Sequence, residues 1–103
     1  MLAHNVYFQL NDQSPPAVDT LVAACHKYLT DHPGIVSFNV GTLARGYERD
    51  VNDRDFDVAL LIVFESRRAH DTYQQATSHQ AFIDECKNNW KHVRVFDADI
   101  SVG

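Results

Sequence analysis

An apolar stretch runs from Phe56 to Glu65, and it is apolar on both faces of the strand that it predicts. One face would carry Val58, Leu60, Ile62 and Phe64, and the other would carry Ala59, Leu61 and Val63. A strand with one wet face alternates apolar and polar residues, so this strand is expected to be buried on both faces. In so short a chain, helices can cover one face. The other face then needs a second sheet, most simply that of another copy.

Alternating patterns predict three more strands, at Ala3–Leu10, Ile35–Leu43 and His92–Ile100. In the first, one face carries His4, Val6, Phe8 and Leu10. In the second, one face carries Val36, Phe38 and Val40. In the last, Val93 and Val95 oppose Arg94, Phe96 and Ala98. We expect Gly41 to mark a bulge or a bend in the second strand.

Helical spacing separates the first two strands. Apolar residues recur at i, i+3, i+4 and i+7, at Val18, Leu21, Val22, Cys25, Tyr28 and Leu29. Ser14 is the expected N-cap, and Pro15 and Pro16 fall in the first turn, where a missing N–H costs nothing. The His32-Pro33-Gly34 segment is expected to end this helix.

A second helical pattern begins at Arg67, with Ser66 as its expected cap. Its inward residues would be Ala69, Tyr73 and Ala76. The pattern breaks near Thr77-Ser78 and resumes with Phe82, Ile83, Cys86 and Trp90. We therefore predict two helical segments with a bend between them.

The predicted order is strand, helix, strand, strand, helix, strand, all within one domain that spans residues 1–103. The economical solution is an α+β fold, the ferredoxin-like βαββαβ arrangement, with a four-stranded antiparallel sheet and both helices on one face. The other sheet face would then expose more apolar surface than is usual for a monomer. Two copies packed sheet to sheet would bury it, which predicts a homodimer.

Composition narrows the partners. The 103 residues are 45% hydrophobic and 22% charged, with nine Lys and Arg against 14 Asp and Glu and a net charge of −5. This balance argues against a nucleic-acid partner and against an anionic membrane surface. No apolar run approaches the roughly 20 residues of a membrane span, and the N-terminus lacks the pattern of a signal peptide. Two cysteines are too few for a disulfide framework, so a reduced cytoplasmic protein is expected.

The sequence resembles the stress-responsive dimeric α/β-barrel family, Dabb. The resemblance rests on His4–Leu10, Pro33–Gly41, Phe56–Ser66, Tyr73-Gln74 and His79–Phe82, in this order. It implies a homodimer in which two sheets form a barrel-like core. One plant branch of the family includes a polyketide cyclase that folds a linear poly-β-ketone into an aromatic acid without metal or cofactor. The wider superfamily includes cofactor-free monooxygenases and haem-degrading enzymes.

By this resemblance, His79 is the candidate general base, and Tyr73 the phenol that assists it. Imidazole titrates near neutrality, and a phenol can donate a hydrogen bond to a developing enolate. His4 matches a pocket histidine of the same branch and would bind ligand. The alternatives are that His79 packs the helix junction, that Tyr73 belongs to the core, and that His4 bonds to backbone at the sheet edge.

Two departures from the cyclase branch suggest a different ligand or mechanism. Phe56-Asp57-Val58 stands where the branch has a histidine, and Ala76-Thr77 replaces a His-Pro pair that precedes the base in many relatives. Asp57 is a candidate ligand-binding residue that would orient a histidine or line the cavity. Its alternative role is to bond to its surroundings at the strand start.

No metal or cofactor is expected, because no two of the six histidines are spaced at i, i+2 or i, i+4. A scattered three-ligand site remains the alternative. His26 and His70 fall off the apolar stripes and are expected to be solvated. Cys25 and Cys86 lie on the core stripes and are expected to be buried, inert thiols.

Two features near the last strand and the longest loop leave alternatives open. Arg94 is expected to extend along the surface or to pair with an acid. The segment Arg45–Asp55, with seven charged residues and Tyr47, is expected to be a solvated loop or a lid over a barrel mouth.

The leading functional hypothesis is a homodimer that binds a small hydrophobic or aromatic metabolite, and that acts on it by cofactor-free, cyclase-like acid–base chemistry. The alternatives are a non-catalytic stress or assembly module whose barrel is filled with side chains, and a cofactor-free monooxygenase.

Overall fold

A four-stranded antiparallel sheet forms the centre of the computed structural model, which describes all of residues 1–103. In chain order its strands are β1, Leu2–Leu10; β2, Ile35–Thr42; β3, Val58–Phe64; and β4, Trp90–Asp99. They lie side by side in the order β2-β3-β1-β4, and every neighbouring pair is antiparallel. The predicted α+β class and antiparallel sheet are confirmed.

Three helices connect the strands. They are α1, Pro15–Leu29; α2, Arg67–Gln75; and α3, Thr77–Cys86, which a 3-10 turn at Lys87–Asn89 joins to β4. The predicted bend is confirmed at Ala76, whose extended backbone (ψ 144°) interrupts the helix for one residue. The hydroxyl of Ser66 accepts a hydrogen bond from the Ala69 N–H at 3.1 Å, as expected of a cap. None of the three helices has the length and hydropathy that crossing a bilayer requires.

The core lies between one face of the sheet and the helices. Every second residue of β1 is buried, and the register places Val6 of β1 beside Leu60 of β3 and Val95 of β4. The sheet contributes Leu2, Val6, Phe8, Leu10, Val58, Leu60, Ile62 and Phe64 to the core. The helices contribute Leu21, Ala24, Cys25, Leu29, Tyr73 and Phe82. One face of β3 is therefore covered within the chain, as predicted.

The opposite face of the sheet exposes apolar side chains. Leu61 of β3 is 37% exposed and Phe96 of β4 is 54% exposed. Tyr7 of β1 contacts Phe96 with ring centroids 5.9 Å apart, and contacts Phe56 at 5.0 Å. These four residues form what we call the outer patch, and nothing within the chain covers it fully.

Local expectations for β2 and α1 need correction. The bulge in β2 lies between Ile35 and Ser37 rather than at Gly41, so Val36 is displaced from the core-facing row and is 54% exposed. Ser14 does precede α1, but its side chain makes no capping bond. Its N–H instead donates to Asp12 Oδ1 at 2.9 Å.

The end of α1 also differs from the expectation. The helix stops at Leu29, three residues before the predicted stop segment begins, and the hydroxyl of Thr30 bonds back to the His26 carbonyl oxygen at 3.0 Å. A side chain that occupies a carbonyl of the last turn in this way competes with continuation of the helix.

Gly34 joins α1 to β2 at a point where the chain passes close to α2. Its φ is +86°, and a Cβ at this position would lie 2.4 Å from the Cβ of Ala69. Its carbonyl oxygen accepts a hydrogen bond from the Glu65 N–H at 2.8 Å. Gly34 thus lets this connection sit against the first turn of α2.

We predict that Gly34→Ala lowers the free energy of unfolding by about 2 kcal/mol or more, because it adds a clash to the left-handed backbone conformation. Gly46→Ala is the matched control, since Gly46 has φ +97° but a Cβ there would meet open space. The control should lose only about 1 kcal/mol. Urea unfolding measures both, and equal losses in the two variants would contradict this packing account.

Candidate functional site

A cavity of about 180 Å³ lies between the sheet and the helices α2 and α3. Four polar side chains line it from three elements: His4 from β1, Tyr73 and Gln74 from α2, and His79 from α3. Most of the other lining residues are apolar, and they include Phe8, Leu29, Leu60, Phe82, Ile83, Val93 and Val95. The structure thus brings together the three residues that the resemblance singled out.

Tyr73 is the centre of this group. Its side chain is 2% exposed, and its ring meets the ring of His79 edge to face at a centroid distance of 4.8 Å. Phe64 and His32 pack on the same ring, each at 5.0 Å. Burial, with a smaller contribution from Cys25, raises the pKa of the Tyr73 phenol well above its ordinary value. The phenol is therefore a neutral hydrogen-bond donor at neutral pH.

His79 is half-buried in the first turn of α3, shortly after the extended residue Ala76. Burial lowers the pKa of its imidazole, and the nearby histidines His4, His32 and His70 lower it further. At neutral pH the ring is therefore uncharged and can accept a proton. The break between α2 and α3 allows Tyr73 and His79, six residues apart, to face the same cavity.

His4 belongs to a polar cluster in the wall of the cavity. Its Nδ1 lies 2.5 Å from Asp97 Oδ1 and 3.1 Å from His70 Nε2. The β1–β4 register pairs His4 with Asp97 directly across the sheet. On the far side of the cluster, Gln74 Nε2 lies 3.0 Å from His70 Nε2. His4 thus bonds to side chains, and the alternative of a purely backbone partner is not what the structure has.

The expectation that His70 is solvated was wrong. Its side chain is only 12% exposed, and its ring contacts those of His4 at 4.5 Å and Phe64 at 5.3 Å. The short helix α2 lies over the end of the sheet, so position 70 faces inward together with position 73, one turn later. Burial, and then the charge of His4, lower the pKa of His70.

Asp57 lies away from this cavity. Its carboxylate accepts hydrogen bonds from the Leu10 N–H at 2.8 Å and from Gln13 Nε2 at 3.2 Å. Its own N–H donates to the Phe8 carbonyl oxygen at 2.7 Å. These bonds tie the start of β3 to the end of β1, which is the alternative role weighed for this residue.

A larger cavity, of about 600 Å³, lies on the other face of the sheet, between the outer patch and the charged loop 45–55. Arg94 holds the loop down, because its guanidinium pairs with the Asp53 carboxylate and lies 3.3 Å from the Asp55 carbonyl oxygen. Tyr47 also lines this cavity. The loop therefore lies along the outer face, and not over the cavity that contains His79.

The two cysteines differ in their surroundings. Cys25 is fully buried, and burial raises the pKa of its thiol to about 12, with a smaller contribution from Cys86. Cys86 is only half-buried, and its pKa is raised by burial and then by Glu85. Both thiols are free and protonated at neutral pH, which favours a packing role over nucleophilic chemistry.

Comparison with known proteins adds the family. The model of the Dabb family, described as the Stress responsive A/B Barrel Domain, matches residues 2–100. Among functionally curated proteins, none matches the sequence.

Solved structures share the fold across almost the whole chain. A Dabb family protein with a ferredoxin-like fold from Mesorhizobium loti superposes with a TM-score of 0.79 at 18% identity, covering 99% of this chain and 97% of that one. A dimeric ferredoxin-like protein of unknown function from Thermobifida fusca gives 0.79 at 16% identity, covering 96% and 90%. A hydroxynitrile lyase from Passiflora edulis gives 0.76 at 19% identity, covering 97% and 93%.

These superpositions establish a shared fold, but sequence identities this low leave the chemistry open. The family match is of a different kind, because it runs from the first residue of β1 to the residue after β4. The chain therefore belongs to the stress-responsive A/B barrel (Dabb) domain family.

Proposed function

We propose that this protein binds a small hydrophobic or aromatic carbonyl compound in the cavity between the sheet and helices α2 and α3, and acts on it by cofactor-free acid–base chemistry. One observation carries the proposal: an uncharged imidazole and a buried, uncharged phenol, with rings 4.8 Å apart, line the same largely apolar cavity. This combination of an apolar lining with two neutral polar groups favours a ligand site over a module whose interior is filled with side chains.

The size of the cavity limits the ligand. A cavity of about 150 Å³ lined by apolar side chains is enough to hold benzene. The space beside His79, about 180 Å³, therefore suits a single aromatic ring with a short substituent. Val95, at its rim on β4, is half exposed, so a longer substituent can extend outward there.

The chemistry follows from the protonation states. His79, neutral at pH 7, removes a proton from the carbon next to the ligand carbonyl, and the carbonyl oxygen becomes an enolate. The Tyr73 hydroxyl donates a hydrogen bond to that oxygen, and a bond made inside an apolar wall is stronger than one made in water. His4 supplies a third polar contact. Return of the proton from His79 to carbon completes the cycle.

A structural neighbour supports an enzymatic role on this scaffold, since one protein that shares the fold is a hydroxynitrile lyase. The shared fold supports the view that a small α+β domain of this shape can hold a catalytic site.

We also propose that two copies pack through their outer patches. Leu61 on the inner strand β3 and Phe96 on the edge strand β4 are exposed large apolar side chains on the outer face of the sheet, where water would otherwise contact them. Several proteins that share the fold are described as dimeric. A homodimer would cover the second face of β3 and close the 600 Å³ space beneath the charged loop.

Acetophenone is a suitable probe of the reaction, because its methyl protons exchange with solvent through an enolate. We predict that the protein accelerates this exchange in D₂O, as followed by proton NMR. His79→Gln should slow the exchange by about 100-fold, because the base is removed. Tyr73→Phe should slow it by about tenfold or more, through loss of one donor to the enolate oxygen.

The control for this experiment is His26→Gln, which removes an exposed imidazole that lies outside the cavity. It should leave the exchange rate unchanged. Exchange that is as fast in His79→Gln as in the unaltered protein would contradict the proposed base.

A bulky side chain at the rim tests the location of the ligand. We predict that Val95→Trp weakens acetophenone binding by about tenfold, since the indole would occupy the cavity mouth. Lys91→Trp is the control, because it places the same ring at an exposed position of β4 outside the cavity. This variant should bind acetophenone as tightly as the unaltered protein. Calorimetric titration measures both affinities, and equal affinities would place the ligand elsewhere.

The dimer predicts a specific response to charge. Leu61→Arg should give a monomer by size-exclusion chromatography with light scattering, because an unpaired guanidinium would be buried in the interface. Ala23→Arg adds the same charge on the exposed side of α1 and should leave the dimer intact. A monomeric unaltered protein at micromolar concentration would contradict the proposal.

The lowered pKa of His79 predicts a dependence of stability on pH. The unfolded chain takes up a proton at this residue near pH 6.5, whereas the folded chain does so only at lower pH. Stability is therefore complete above about pH 6.5 and is lost as the pH falls through the folded pKa. His70, whose pKa is also lowered, adds an effect of the same sign.

Urea unfolding at fixed protein concentration between about pH 7.5 and 5.5 measures this loss. The groups that face His79 are Tyr73 and the histidines His4, His32 and His70. His79→Gln keeps these neighbours and should reduce the loss of unfolding free energy between these two pH values, whereas His26→Gln should leave that loss unchanged. If His79→Gln loses stability as steeply as the unaltered protein, the pKa of His79 is not lowered by folding.

A further inference from the structure

Three electron-pair donors converge in the wall between the inner cavity and the protein surface. They are His4 Nδ1 from β1, His70 Nε2 from α2 and Asp97 Oδ1 from β4, and all three lie within 4.8 Å of one another. The separations are 2.5 Å for His4–Asp97, 3.1 Å for His4–His70 and 4.0 Å for His70–Asp97. We call this group the His–His–Asp cluster.

The ring nitrogen His4 Nδ1 lies within hydrogen-bonding distance of both Asp97 Oδ1 and His70 Nε2, but it carries at most one proton and so bonds fully to only one of them at a time. The Gln74 amide, 3.0 Å from His70 Nε2, is the remaining polar partner, and it would have to move aside for an ion. A cation placed among the three donors would engage all of their lone pairs at once.

We propose that His4, His70 and Asp97 bind a divalent transition-metal ion, with Zn²⁺ as the reference case. Two imidazoles and one carboxylate suit zinc and its neighbours in the first transition row, whereas Mg²⁺ and Ca²⁺ require more oxygen donors. Three protein ligands with a fourth position open to water is the composition that catalytic zinc sites have, whereas structural zinc sites have four protein ligands.

The geometry needs only a small adjustment. In a tetrahedral zinc site the donor atoms lie about 3.3 Å apart, given metal–ligand bonds of about 2.0–2.1 Å. The three separations in the cluster fall on either side of that value. A rotation of the Asp97 carboxylate, away from His4 and toward His70, would equalise them. Asp97 can make this movement because its side chain is 41% exposed at an edge strand.

An ion has a route to the cluster. His70 and Asp97 line a surface groove of about 330 Å³, which is also bordered by Asp71 and Asp99. These acidic groups attract cations, although the Asp99 carboxylate is paired with Arg67. Water from the groove would fill the remaining coordination position. His4 faces the inner cavity instead, so the ion would sit in the wall between the two spaces.

This inference does not rest on the proposed function, although the two share His4, which lines the cavity proposed to bind the carbonyl compound. His70 and Asp97 do not line that cavity, so variants at these two positions separate the two proposals. Loss of Zn²⁺ binding in His70→Ala supports the metal site, whether or not the protein binds acetophenone or accelerates its exchange.

The test uses the full chain without an affinity tag, treated with a chelator and then titrated calorimetrically with Zn²⁺. We expect one ion per chain with a dissociation constant of about 10 µM or below. Removing a ligand, in His70→Ala or Asp97→Asn, should weaken binding by about 100-fold or more. Titration with Co²⁺ should give the intense visible absorption of a four-coordinate ion in the unaltered protein, and not in the two variants.

His26→Ala is the control, because it removes an exposed histidine outside the cluster and should bind Zn²⁺ normally. Circular dichroism establishes that each variant is folded, and Asp97→Asn provides a second test if His70→Ala is unstable. The proposal is overturned if Zn²⁺ does not bind, or if the two cluster variants bind as tightly as the unaltered protein. It is equally overturned if His26→Ala weakens binding as much as His70→Ala does.

Discussion

The structure depends on one constraint, which is that the central strand β3 is apolar on both faces. Its core-facing residues, from Val58 to Phe64, are completely or almost completely buried by the helices. On the other face, Leu61 remains exposed within a single chain. Burying large apolar side chains contributes on the order of 2 kcal/mol each. The helices bury one apolar face of β3, and the proposed second copy would bury the other.

The two faces of the sheet carry two different cavities. The larger cavity lies on the face offered to another copy, between the sheet and the charged loop. The smaller one lies on the helix side, where the titratable groups His79 and Tyr73 meet. We favour the smaller cavity as the reaction site, because it alone combines an apolar lining with a neutral base and a neutral donor. Volume by itself is a weak argument for chemistry, especially on a face that a partner is expected to cover.

The sequence predicted what depends on periodicity and missed what depends on register. The buried face of β3 and a helix break within a residue or two of Ala76 were predictable from apolar spacing alone, and the cavity pair Tyr73 and His79 from the family resemblance. Asp97 was missed because it meets His4 only once the β1–β4 register is fixed. His70 was missed because a short helix lying over a sheet end buries a wider sector than its apolar stripe suggests. The path of the charged loop depends on the ion pair of Arg94 with Asp53, 41 residues away.

The most direct test of the account is to locate the ligand by NMR, with labelled methyl groups and acetophenone as the probe. The account predicts chemical-shift changes at Ile83, Val93 and Val95, which line the inner cavity, together with the ring signals of His79. Leu61 and Val63, on the outer face, should not change. Shifts confined to the outer face, or no shifts at saturating probe, would contradict the claim that the cavity beside His79 is the functional site.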